Sequence, residues 1–398
     1  MDTTAAVDRF DLPASARAVL RALATEGPAT RPQLSTALAL SRPTMSVAMA
    51  ELSRLGLVAG QGSSRGATGR SAVLYSLAPT AGHVLGVEIG ATVVRAAAYT
   101  LDGREICTAE VRLPSDQPTV TPEAADAAAG VVRTVREEVG ARYGPLREVV
   151  VAAPTLPNVG ASGAGHGGGG RGGGGGGGLQ PDGTVRITDA LAVPDGVPVT
   201  VENNVNCAAV AEHRFGVARH QQMFAYIQVG VKIGVGIVLD GRLMQGANGA
   251  AGEAAMLPFP WSESQQPRRA GLERFLGSDA LMERCRAAWP ASGGGPVPLD
   301  ARALFASAAS GHAAARRVVD EHAAAIGRLV AAVVALLDPG LVVLGGGVGQ
   351  NQLVLLEVRR TVHELTWPTD ITIGGLADRA TLLGAVHVAL TRALDSMT

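Results

Sequence analysis

Apolar, β-branched runs alternate with helical stripes along most of this chain, and one strand–turn–strand unit occurs twice. In residues 224–256, FAYIQVGVKIGVGIVLDGRLMQGANGAAGEAAM, Ala225–Val229 predicts a buried strand and Val235–Leu239 a second. Asp240-Gly241 is a two-residue hairpin signal leading into the next strand. Residues 83–105 repeat the design: an apolar strand, Gly86 and Gly90 at a turn, a second apolar strand, then Leu101-Asp102-Gly103-Arg104. The later copy ends Leu239-Asp240-Gly241-Arg242, and a third glycine turn follows the apolar run that starts at Leu341. Two such units about 140 residues apart predict two similar α/β lobes.

Around and between them, Pro122–Tyr143 predicts an amphipathic helix and Glu148–Ala153 a strand. His312–Leu337 predicts a long helix with Val319, Ile326, Val330, Val333 and Leu337 on one face, stopped by Asp338-Pro339-Gly340. The tract Gly160–Gly178 is almost all glycine, cannot pack a core, and reads as a disordered insertion.

The first 80 residues follow another pattern. Ala16, Leu20 and Leu23 share a helical face, and Thr30 starts a short helix from about Arg31 to Leu38. Ser41 is a good N-cap and Pro43 sits harmlessly in the first turn of a third helix. Met45, Ala48, Leu52 and Leu55 give that helix a buried stripe. Gly56-Leu57-Val58 leads into a strand, Gly60–Arg70 forms a loop, and Ala72–Leu77 returns. Three helices and a hairpin match the plan of a winged helix-turn-helix.

Charge sharpens that reading. The whole chain carries a net −1, which argues against a wholesale polyanion binder, but through Thr80 eight arginines face five acids. On this reading Ser41, Arg42, Thr44 and Ser46 at the helix start, with Arg65 and Arg70 on the wing, contact a DNA operator. The alternative is an alanine-rich helical adaptor.

Composition excludes several classes. At 398 residues the chain has room for two or three domains, and with 3% aromatics its core must be built from Ala, Val and Leu. Cys107, Cys207 and Cys285 are scattered, without the paired spacing of a zinc site, which fits buried thiols in a reducing cytoplasm. The eight histidines show no ligand spacing. The N-terminus reads as lacking a signal peptide, and the best membrane candidate, Leu329–Leu337, is far too short to span.

The glycine turns resemble those of the ROK family of repressors and sugar kinases, which implies a two-lobed actin-like, ribonuclease H-like fold over residues 81–398; the resemblance as a whole covers about Ala14–Leu394. "LSRPT" at Leu40–Thr44 and the Gly69–Ala72 segment after the wing are similar to the N-terminal domain of ROK repressors. The resemblance then implies a division into a winged helix (1–80), a first lobe (81–200 with the C-terminal helix, about 380–398) and a second lobe (201–379).

The same resemblance implies roles. Family kinases carry Asp-x-Gly-Gly-Thr at the first turn, for ATP phosphate and magnesium; this chain has Glu88-Ile89-Gly90-Ala91-Thr92, a longer carboxylate and an extra Cβ. They carry Glu-Asn-Asp-x-Asn at the sugar, with Asp as general base; here Glu202-Asn203-Asn204-Val205-Asn206 puts an amide at that position. They carry Gly-Glu-x-Gly-His and a cysteine-rich zinc loop; here Met256 stands for the His, and Trp261–Phe275 has no cysteine. Asn203, Asn204, Glu253 and Glu273 remain as sugar contacts, the rival role for the asparagines being a helix cap and for the glutamates a solvated or capping carboxylate. The expectation is a cytoplasmic DNA-binding transcription regulator, a repressor with a sugar effector, homodimeric or homotetrameric. It has no catalytic residue, metal or cofactor and is not an enzyme. The rival expectation is an active ATP-dependent ROK sugar kinase, to which Lys232, the chain's one lysine, lends some support.

Overall fold

The computed structural model describes residues 10–65, 71–114, 120–154, 187–260, 264–290 and 295–397; the glycine tract 160–178 and Arg70 lie outside these. Among the described residues, those up to Ala153, from 187 to Val201 and from Ala385 onward form one compact unit, and Pro154 with Glu202–Gly384 form a second.

The first unit opens with α1 (Ala14–Thr25), β1 (Ala29–Thr30), α2 (Arg31–Ala37), α3 (Arg42–Arg54), β2 (Val58–Arg65) and β3 (Ser71–Leu77). Thr30 and Gln33 make a reciprocal capping box at α2, and Ser41 Oγ accepts from Thr44 N at α3, so both helices start where the sequence places their caps. The buried stripe of α3 is Met45, Ala48, Met49 and Leu52, a clean helical period. Leu55, expected in that stripe, is instead the C-cap and half-buried, because the helix ends at Arg54. The strands form an antiparallel sheet, β1-β3-β2.

Next come β4 (His83–Ile89), β5 (Val93–Thr100), β6 (Glu105–Arg112), α4 (Pro122–Val139), β7 (Leu146–Ala153), α5 (Ile187–Ala190) and β8 (Val199–Asn203), in sheet order β6-β5-β4-β7-β8. Strands β4, β5 and β6 run antiparallel, and β7 pairs parallel with β4 after the α4 crossover. The Arg147 side chain, 3% exposed, gives two hydrogen bonds to Ala81 O and lies 5.2 Å from the Phe10 ring. It thereby ties the N-terminal elements to this sheet.

The second unit repeats the plan. After α6 (Asn204–Arg214) it has β9 (Phe224–Val229), β10 (Ile233–Leu239), β11 (Arg242–Leu243), α7 (Gly271–Leu276), α8 (Ser278–Ala288), α9 (Ala301–Ala309), α10 (Ala313–Leu337), β12 (Leu341–Gly345), α11 (Gly346–Gly349), α12 (Gln352–Leu365) and β13 (Asp370–Ile373), and α13 (Ala380–Ser396) closes the chain. The sheet order is β11-β10-β9-β12-β13: again an antiparallel meander, then a parallel strand laid beside its first member. Two mixed sheets with one strand order are the structural form of the repeat seen in the sequence. The hairpin at Asp240-Gly241 has φ of 52° and 68°, the left-handed pair a two-residue turn needs. The core of this unit is aliphatic, from Ile227 and Val342 in the sheet to Ile326 and Val330 on α10, all fully buried.

Candidate functional site

In the second unit the N-terminus of α6 meets the β9–β10 turn and the segment after β11 around a cavity of about 180 Å³. Its polar lining is Asn203, Asn204, Asn206, Lys232, Glu253 and Glu273. Four of these, Asn203, Asn204, Glu253 and Glu273, are the sugar-contact candidates of the sequence, and the fold brings them together.

Asn203 caps α6. Its Oδ1 accepts from the backbone N–H of Val205 (2.8 Å) and Asn206 (3.3 Å), while Nδ2 donates to Glu253 Oε1 at 3.3 Å. The cap and the cavity wall are therefore one residue, and the two roles are not alternatives. Asn204 is the first residue of the helix, and its side chain has no protein hydrogen-bond partner among the described residues. Asn206 is 5% exposed and lines the same cavity.

Lys232 Nζ contacts Glu273 Oε1 at 2.8 Å, both side chains being partly buried. Burial pushes the Glu253 carboxyl above its usual range; the Glu273 carboxylate adds to the rise and Lys232 opposes it. The site thus holds amides that both donate and accept, acceptor carboxylates and one ammonium donor. That mixture suits a small polyhydroxylated molecule whose hydroxyls do both. The sequence list omitted Lys232 and Asn206. Only the Asn-x-x-Asn spacing from 203 to 206, one helical turn, signals Asn206 in advance.

In the first unit, Glu88 lies at the end of β4 and is 8% exposed. Arg95 Nη1 approaches its Oε2 at 3.4 Å, and Arg95 Nε also holds Glu110 at 3.0 Å. The Gly90 N–H donates to Val93 O, closing the turn on itself. The carboxylate that the resemblance assigns to magnesium is therefore engaged by an arginine.

The residues after β11 do not fit a zinc ion. Cys107, Cys207 and Cys285 are buried on β6, α6 and α8, and no group of three His, Cys, Asp or Glu among the described residues could hold a metal. The segment is held by apolar contact: the Phe259 and Phe275 rings stand 4.5 Å apart, and Phe259 bridges to Arg268 through the backbone. Gly271 packs so closely here that a Cβ would collide with the Phe259 carbonyl oxygen.

At the N-terminal elements, Ser41 Oγ also bonds Thr44 Oγ1 at 2.7 Å, and Ser41, Arg42, Thr44 and Ser46 are all exposed on one end of α3. Arg65 ends β2. No helix among the described residues is long and apolar enough to cross a membrane.

Comparison with known proteins places this geometry. The ROK family pattern matches residues 184–392. The bifunctional enzyme NanE/NanK of Brucella melitensis is 34% identical over 198 residues, covering 49% of this chain and 36% of that protein. The N-acetylmannosamine kinase of Citrobacter koseri is 31% identical over 201 residues, covering 49% of this chain and 66% of the kinase. The chain thus spans less than two thirds of either relative. Among solved structures, a ROK family transcriptional regulator homologous to E. coli MLC has the same fold at a TM-score of 0.71 and 20% identity, over 96% of both chains. The kinase relatives overturn the expectation that the chain is not an enzyme, which rested on the amide at Asn204, the changed turn at Ala91 and the missing cysteine-rich zinc loop. An amide removes one base from one position; it says nothing of what the neighbouring carboxylates do. The match over more than half its length makes this chain a member of the ROK family.

Proposed function

We propose that the chain is a DNA-binding transcriptional regulator of the repressor kind whose second unit binds a sugar effector. The observation that carries the effector half is the cavity itself, where three asparagines and two glutamates converge. The DNA half is supported by α1–α3 with the β2–β3 hairpin, read as a winged helix-turn-helix of residues 1–80, and by its local excess of arginine. The ROK regulator matches over 96% of this chain, so its likeness takes in these N-terminal elements; the two kinase relatives match 49%. In this reading Ser41, Arg42, Thr44 and Ser46 face the operator and Arg65 and Arg70 follow its backbone or minor groove. Two copies of the chain read palindromic half-sites.

The deciding experiment is a gel shift with the DNA upstream of the protein's own gene, with and without a panel of hexoses and N-acetylhexosamines. Retardation that one sugar changes supports both halves. No retardation in any condition removes the operator, and no sugar response removes the effector.

A second reading is sugar phosphorylation, favoured by the identity with the kinase relatives over half the chain. Asn204 cannot accept the hydroxyl proton at neutral pH, so on this reading Glu253, in the same cavity and with a raised pKa, is the candidate base. ATP consumption with the same sugar panel tests it.

A further inference from the structure

One side chain on α3 has an exposure that packing does not account for. Met45, Ala48, Met49 and Leu52 are 2% exposed or less, whereas Val47 on the same helix is 65% exposed. A β-branched residue on an open helical face is a poorer helix former than alanine, so neither burial nor propensity explains it. Its helical neighbours Pro43, Thr44 and Ala50 are exposed too. The Thr44 hydroxyl is engaged with Ser41 at 2.7 Å, which leaves its methyl as the group free to meet a partner. The result is a narrow apolar strip along an otherwise polar helix start, with the exposed Arg42 at its end.

We infer that Val47, aided by the Thr44 methyl, is a specificity-determining contact to the C5-methyl of thymine in the major groove. The inference rests on the DNA-binding reading above and says which base that helix prefers. The thymine methyl is the apolar group that standard base pairs present in the major groove, and apolar side chains read it by contact. Charge complementarity favours DNA over a protein groove as the occupant: the strip lies in a segment with an arginine excess, eight against five acids through Thr80, although the whole chain carries a net −1.

The test uses the full chain and a random duplex pool. Selected sites should carry thymine at a fixed step of each half-site. Replacing that thymine by uracil keeps every hydrogen-bonding group and removes only the methyl. This should weaken wild-type binding by about three- to fivefold, the scale of one buried methyl group. Val47→Ala should bind thymine and uracil duplexes nearly alike, with an unchanged melting temperature because the site is exposed. If no sequence is enriched at all, the DNA reading itself fails. If sites are enriched but uracil matters to neither protein, or equally to both, the Val47 contact is overturned. If Val47→Ala instead changes the oligomeric state in size-exclusion chromatography and leaves base preference intact, the strip is a protein interface and the inference falls.

Discussion

Lys232 Nζ and Glu273 Oε1 meet at 2.8 Å although the residues are 41 apart in sequence, so the chain's single lysine is joined to a carboxylate inside the candidate effector cavity. The ammonium also restrains the rise in the Glu253 pKa. Lys232→Met should therefore raise that pKa further, because the Glu273 repulsion is then unopposed. NMR titration of a Glu253 side-chain probe, compared with the Lys232→Met/Glu273→Gln double variant, checks it; the double variant should restore a value near that of the native chain.

Glu253 also gives a pH dependence with a defined sign. Its folded pKa is raised above the unfolded value of about 4.3. The folded state then binds more protons in the window just above that value. The stability this group contributes is present below the window and lost as pH rises through it. Glu253→Gln removes the titration, so its melting temperature should gain on that of the native protein as pH rises from about 4.3 towards neutrality. Parallel curves for the two proteins would contradict the assignment.

Asn203 carries two duties that substitution should separate. Asn203→Ala should destabilise the fold by about 0.5–2 kcal/mol through loss of the α6 cap. Asn203→Ser keeps a capping oxygen but lacks the Nδ2 that reaches Glu253. It should recover most of the stability while binding sugar more weakly. Denaturant melts together with sugar-induced thermal shifts measure both.

Arg42→Ala and Arg65→Ala should each leave the melting temperature nearly unchanged and weaken operator binding in different ways. The first should alter sequence preference and the second should lower affinity evenly and reduce its salt dependence. Selection from a genomic-fragment pool distinguishes them, and equal binding by the double variant would refute the operator face.

On the kinase reading, Asn204→Asp puts a carboxylate into the cavity proposed to hold the sugar. If phosphoryl transfer occurs, the variant should exceed the native rate by about 10²–10⁴-fold, the usual contribution of a general base. Equal rates would point to a different base, with Glu253→Gln as the control.

What the sequence made legible follows from how local each signal is. The start of α3 could be read because Ser41 and Pro43 act within one turn, and the Asp240-Gly241 hairpin because its backbone needs only those two residues. β1 was not foreseen: two residues, Ala29 and Thr30, have no periodicity, and they are a strand only because β3 pairs with them. In the cavity, Asn203 and Glu253 came from motif wording, but the Lys232–Glu273 pair depends on the long-range placement of α7, which no short-range pattern encodes. The non-enzyme expectation failed for a related reason. It weighed local changes at Asn204, Ala91 and the zinc loop, while the likeness to kinases is spread along half the chain.

Gly271 constrains what this chain could become. Its backbone sits where any Cβ would strike the Phe259 carbonyl, and the Phe259–Phe275 pair fills the neighbouring space. A cysteine introduced there would disrupt the packing before it could serve as a metal ligand, so a cysteine-rich loop like that of the family's kinases would need the aromatic pair to move first.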